Sequence, residues 1–146
     1  MNVNEMAIKF FTEEVESPAI DKKKLTAWIR EVAKHHEKSV GELTYIFCND
    51  EKILEVNRQY LQHDFYTDII TFDYSDKRKI SGDIFISLDT VLSNSQMYQT
   101  EFIEELHRVI IHGVLHLCGI NDESEEEEIA MRSAENNALA ILKTLD

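Results

Sequence analysis

The chain has 146 residues, 43% of them hydrophobic, and its 28 acidic against 15 basic side chains leave a formal charge of −13. That length predicts one domain, 1–146, large enough to bury a core without disulfide staples. The acidity excludes a general duplex-DNA or anionic-membrane binder, since both neutralise phosphates with a basic face, and four glycines with one proline exclude a collagen-like or proline-rich chain.

Residues 6–12 (MAIKFFT) are predicted as a first strand, and Ser17-Pro18 as a turn. A helix is expected over 21–38, because Leu25, Trp28, Ile29, Val32 and His36 recur at i, i+3, i+4, i+7 and i+11. Residues 43–48 (LTYIFC) form a second strand. Asn49-Asp50 caps a second helix with Ile53, Leu54, Val56, Asn57 and Tyr60 on its apolar side. TDIITFDY (67–74) and ISGDIFISL (80–88) are predicted as strands three and four, joined as a hairpin through SDKRK. Helices follow over 88–98, over 101–117 with Gly119 as its stop, and over 124–145, where Met131, Ala134, Ala138, Ile141, Leu142 and Leu145 share a face. The order β-α-β-α-β-β-α-α-α predicts an α+β fold: a mixed four-stranded sheet packed with helices.

Two cysteines, Cys48 and Cys118, are too few for a secreted disulfide framework. The most apolar segment, 109–120, is shorter than the ~20 residues of a membrane span and carries two histidines. With no signal-peptide pattern at the start, a cytoplasmic protein without membrane contact is expected.

The chemistry concentrates in IHGVLHLCGIND, residues 111–122. His112 and His116 stand at i and i+4, so both imidazoles project from one helix face. Gly119 breaks the helix and Asp122 follows as a third donor. His-x3-His-x2-Gly-x2-Asp therefore offers three ligands to one divalent cation with a position left open, which is the catalytic pattern for zinc. Burying two neighbouring imidazoles without partners is costly, and an ion removes that cost. His107, His35, His36, Cys48 and Cys118 fall off this face and are expected to be surface or packing residues. The spacing is also that of the metzincin proteases, except that their general-base Glu follows the first His, where this chain has Gly113. A metalloprotease is thus a competing reading that lacks its base.

HGVLHLCGIND resembles the HGxLHLxGxDH signature of the YbeY family, bacterial endoribonucleases of ribosomal RNA maturation. VNRQYLQHDFYTDIITFDY (56–74) is similar to that family's LNxxYRxxDxxTDVLSF segment, SGDIFIS (81–87) to its LGDIxIS strand, and Met131 and Glu135 to its tail. The resemblance implies a metal-dependent, single-strand-specific endoribonuclease acting in rRNA maturation and ribosome quality control. Its partners would be ribosomal RNA precursors and the ribosome or a ribosomal protein, and its cofactor one divalent ion, usually zinc. The family's three histidines map onto His112, His116 and position 122, where this chain has Asp122. The family's Arg after the Tyr, a phosphate contact, maps onto Leu61, and Arg58 or His63 is expected to substitute, Arg58 first. Asp68 and Thr71 carry the TD-x-x-T pattern and are expected to line the cleft or orient a ligand. A third reading, suggested by Leu61, is a non-catalytic ribosome-assembly factor with a structural metal.

Overall fold

The computed structural model describes residues 8–62 and 67–145. His63 and the first two residues of the expected first strand lie outside these. The strands are β1 (Ile8–Thr12), β2 (Ser39–Cys48), β3 (Ile69–Asp73) and β4 (Lys79–Ser87). The helices are α1 (Lys22–His35), α2 (Asp50–Leu61), α3 (Leu88–Tyr98), α4 (Phe102–Leu117) and α5 (Glu125–Thr144). Every expected element is present and in the expected order. The sheet order is β1-β2-β4-β3, with β1, β2 and β4 parallel and β3 antiparallel on β4, which makes the mixed α+β sheet.

The boundaries moved where tertiary pairing overrode local propensity. β2 begins at Ser39 because Ser39 and Val40 pair with Lys79 and Ile80 of β4 before a register shift ahead of Leu43. α1 ends at His35, earlier than its apolar period suggests. Glu37 is left-handed at φ 61°, and the N–H groups of Glu37 and Lys38 turn back to the carbonyls of Lys34 and Ala33. On α2 the buried residues are Ile53, Val56 and Asn57. Tyr60 is 61% exposed and meets Phe72 edge-on at 5.8 Å, so it does not belong to the core face. Helix starts follow the side-chain capping rule at Asp21, Asn49, Ser87 and Ser124. At Ser124 the first turn closes a full capping box with Glu127, so the acidic run 123–128 opens α5.

α4 is the axis of the core. Its buried face includes Leu106, Val109, Ile110, Val114, Leu115 and Leu117. The Tyr45 hydroxyl of β2 donates to the Ile110 carbonyl at 3.0 Å, and Trp28 Nε1 of α1 donates to the Ala138 carbonyl of α5 at 2.7 Å. These two bonds satisfy buried polar tips of large side chains and fix how the helices lie on the sheet. α4 also lies very close to β3 and β4. A Cβ at Gly113 would be 3.0 Å from Ile84 Cδ1 and 3.2 Å from Ile69 Cδ1. A Cβ at Gly82 would be 2.4 Å from the Phe72 carbonyl oxygen and 3.3 Å from Leu117. Gly119, at φ 102°, ends the helix as expected and lets the chain turn toward Asp122.

Gly82→Ala forces β3 away from β4, because the clash is with backbone that has no rotamer to yield. It is expected to lower stability by about 1–3 kcal/mol, the usual cost of overpacking, measured by urea denaturation against wild type.

Candidate active site

His112 and His116 occupy one stripe of α4, and two further polar residues share that face: Arg108, one turn before His112, and Glu105, two turns before it. β3 brings Thr71 and the residue before the strand brings Asp68 to the same place, the turn after Gly119 brings Asp122, and α5 brings Arg132 and Glu135. Together they line a cavity of about 450 Å³. Of the residues singled out from sequence, His112, His116, Asp122, Asp68 and Thr71 therefore meet.

Arg58 does not join them. It lines a separate groove with Glu13, Glu14, Glu51, Lys52 and Glu55. The reason is rotation: Arg58 follows Asn57 by one residue, about 100° around α2 from the buried face. Leu61 is 40% exposed at the end of the same helix. The arginines at the cavity are Arg108 and Arg132. Cys48 is buried, and burial raises its thiol to about 12. Cys118 is half-buried, and burial raises its thiol to about 11. Both are packing residues, protonated at neutral pH. His107 lies edge-on to Trp28 at 5.9 Å, and burial lowers its pKa.

Glu135 organises the centre. His112 Nδ1–H donates to its Oε2 at 2.8 Å, and Arg108 Nη1 donates to its Oε1 at 2.8 Å. Arg108 Nη2 donates to Asn136 Oδ1 at 2.9 Å, and Arg132 Nη1 stands 3.8 Å from Glu135 Oε1. With its Nδ1 occupied, His112 presents Nε2 to Asp122, whose Oδ2 is 3.3 Å away. Burial works against the charged form of His112, but the hydrogen bond and charge of Glu135, with Asp122 and Asp68, outweigh it and raise the pKa. Burial likewise works against ionised Glu135, and its bonds to His112 and Arg108 win and lower the pKa. Asp68 and Glu105 stay raised because burial dominates, helped in Glu105 by the charge of Asp68.

The donor set suits a divalent cation. Two ligand atoms on a tetrahedral ion with bonds of about 2.0–2.1 Å lie about 3.3–3.4 Å apart, the spacing between His112 Nε2 and Asp122 Oδ2. A carboxylate behind the other ring nitrogen is the usual support for a ligating histidine. His116 Nδ1 is buried without a hydrogen-bond partner, a cost that a cation on this nitrogen would relieve. As the side chains stand, no three histidine, cysteine or carboxylate donors are gathered around one point among the described residues. His112 and Asp122 converge, and His116 lies on the cavity beside them.

Sequence reasoning assigned no role to Glu135, Arg108, Arg132 or Glu105. The signals were present. Glu135 sits on the buried stripe of α5 with Met131, Ala138 and Leu142, and an acid on an apolar stripe needs a partner. Arg108 stands at i−4 from His112.

The four-stranded α+β frame holds a cavity pooling histidines, carboxylates and arginines, the make-up of an enzyme site. Comparison with known proteins agrees. The profile of the family described as Endoribonuclease YbeY matches residues 10–143. Endoribonuclease YbeY of Parabacteroides distasonis is 61% identical over 137 residues, covering 94% of this chain and 96% of that protein. Endoribonuclease YbeY of Phocaeicola vulgatus is 62% identical over 135 residues, covering 92% and 98%. The solution structure of TM1509 from Thermotoga maritima shares the fold, with a TM-score of 0.67 at 24% identity over 92% of this chain and 88% of that one. The chain belongs to the endoribonuclease YbeY family, which places it among the nucleases. None of the described helices is long and apolar enough to cross a membrane.

Two expectations follow for the metal-free protein. Glu135→Ala strands Arg108 and His112 and is expected to cost roughly 3 kcal/mol, as for breaking a buried ion pair from one side. The wild-type pair also sets a pH window. The raised His112 contributes fully below its ordinary 6.5 and is lost as pH rises through its higher folded value. The depressed Glu135 contributes fully above its ordinary 4.5 and is lost as pH falls through its lower folded value. The pair's contribution therefore peaks between about pH 4.5 and 6.5. Thermal melts across pH in chelator should show that maximum in wild type and a flatter profile in Glu135→Ala.

Proposed function

We propose that this protein is a metal-dependent endoribonuclease, specific for single strands, acting on ribosomal RNA precursors in rRNA maturation and ribosome quality control in the cytoplasm. The observation that carries the metal dependence is the approach of Asp122 Oδ2 to His112 Nε2 while Glu135 holds the opposite ring nitrogen. Family membership supports the RNA substrate.

His112, His116 and Asp122 would hold one divalent ion, Zn²⁺ first. An aspartate as the third donor adds anionic character and broadens the choice toward harder ions such as Mn²⁺. When bound, the ion polarises a phosphoryl oxygen and acidifies water. The chain's own residues do the rest. Glu135 fixes the tautomer of His112 and keeps its Nε2 available. Arg108, held by Glu135 and Asn136, keeps that carboxylate ionised. Arg132, the more exposed of the two arginines and 3.8 Å from Glu135, is the cation placed to approach the charge that builds on phosphorus, the role expected of Arg58. Thr71 on β3 and Asp68 just before it border the substrate's space.

The acidity of the chain supports guidance to RNA by the ribosome or a ribosomal protein in place of bulk charge. It gives no reason to expect DNA as a partner. Gly113 weighs against the protease reading, since glycine supplies no base and a Cβ there would come within 3.0 Å of Ile84 and 3.2 Å of Ile69.

The test is cleavage of single-stranded RNA by metal-reconstituted protein, with metal content measured in parallel. Wild type is expected to carry about one ion per chain and to cleave. His112→Ala and His116→Ala should lose both. Glu135→Ala should weaken metal affinity by about 10–100-fold. Full metal retention in the double histidine variant sinks the site. Cleavage of casein but not RNA revives the protease. Arg132→Ala should reduce cleavage on the order of 100-fold, as for one electrostatic donor, with Arg58→Ala close to wild type.

A further inference from the structure

The cavity has one wall without charge. Tyr98, the last residue of α3, is 56% exposed and lines it, as does Asn94 one turn earlier on the same helix. No hydrogen bond or ring contact with another described residue engages either side chain. Their mounting is firm. Val91 and Ser95 anchor the buried side of α3. Directly after Tyr98 the helix closes on Gln99 in the left-handed region, whose N–H turns back to Gln96 and Ser95, and Thr100 N–H donates to the Ser95 carbonyl at 2.9 Å. α3 and α5 each pack on α4, so Tyr98 and Arg132 reach one cavity from different helices.

Charge narrows what this wall does. Carboxylates outnumber guanidiniums around the cavity, Arg108 is committed to Glu135 and Asn136, and the whole chain carries −13. A polyanion entering such a site cannot draw most of its affinity from phosphate neutralisation. It has to draw on contacts that are indifferent to charge, and a π-face beside an amide offers two. A nucleobase stacks on the ring, and the amide donates to or accepts from the base edge. Only a base free of its neighbours can do this, which excludes a paired duplex.

We propose that Tyr98 and Asn94 form a nucleobase subsite that seats one unstacked base of single-stranded RNA beside the reacting phosphodiester. It rests on the ribonuclease reading of the cavity and supplies that reading's preference for single strands.

The test uses the full chain in two assays. In chelator, where no cleavage intervenes, anisotropy of a labelled single-stranded oligoribonucleotide of about 8 nucleotides reports binding. With metal, steady-state cleavage of the same oligonucleotide separates KM from kcat. Tyr98→Ala is expected to weaken binding about 10-fold and raise KM similarly, with kcat little changed. Tyr98→Phe and Tyr98→Trp should bind like wild type, because the ring supplies the contact. Asn94→Ala should alter the order of preference among homopolymers. The log–log salt dependence of binding should be shallow, with a slope magnitude of about 1–2 phosphates' worth. Wild-type cleavage beside an unchanged Tyr98→Ala KM and affinity overturns the subsite alone. So does a Tyr98→Phe variant as weak as Tyr98→Ala. A wild type that neither binds nor cleaves RNA overturns the ribonuclease reading, and the subsite with it.

Discussion

The Glu135 carboxylate receives His112 Nδ1 on one oxygen and Arg108 Nη1 on the other, both at 2.8 Å, in a position only 6% exposed. A buried acid in an apolar stripe is tolerable only because two donors meet it. That requirement ties α5 to α4 at one rotation and one height. It also selects the tautomer of His112, so the nitrogen turned toward Asp122 is decided by a residue 23 positions away. Removing either donor leaves one oxygen of the buried carboxylate without its partner. Removing the carboxylate takes away the hydrogen bond and charge that raise the His112 pKa and leaves Arg108 with its bond to Asn136.

α4 carries two jobs on two faces, and close approach makes this possible. One face, through Gly113, presses its backbone onto Ile84 and Ile69. The other presents Glu105, Arg108, His112 and His116 to the cavity. The side that packs on the sheet holds no base, which separates this site from the metzincin arrangement despite the shared histidine spacing. Backbone contact with the sheet holds the polar stripe at a defined height, as preorganised catalysis needs.

Acidity, which at first argues against nucleic acid, instead constrains how nucleic acid is met. The run at 123–128 is used structurally, with Glu127 completing the cap of α5 and its neighbours at the positive end of the helix dipole. At the cavity the carboxylates favour a cation and disfavour free polyanion. On the proposed reading, recognition would fall to Arg132, 3.8 Å from Glu135, and to neutral surface such as Tyr98.

The α+β class, the element order and the convergence of His112, His116, Asp122, Asp68 and Thr71 were legible in the sequence. Each follows from a local rule: apolar period, helix spacing, glycine at a stop, or a continuous motif. Glu135 was half-legible, as an acid on the stripe of Met131, Ala138 and Leu142, but nothing local names its partner. The misplacement of Arg58 came from treating nearness along α2 as nearness in space. One residue of helical rotation sent it to a different groove, and only the packing of α2 shows which side faces out. β2 reached back to Ser39 because β4 offered pairing partners, which a propensity scale does not see. Local sequence therefore determined which chemistry the protein carries and on which elements. Which arginine meets the histidines, which nitrogen of His112 is available, and which aromatic borders the cavity were decided by tertiary structure, because each depends on the relative rotation of helices whose contacts are far apart in the chain.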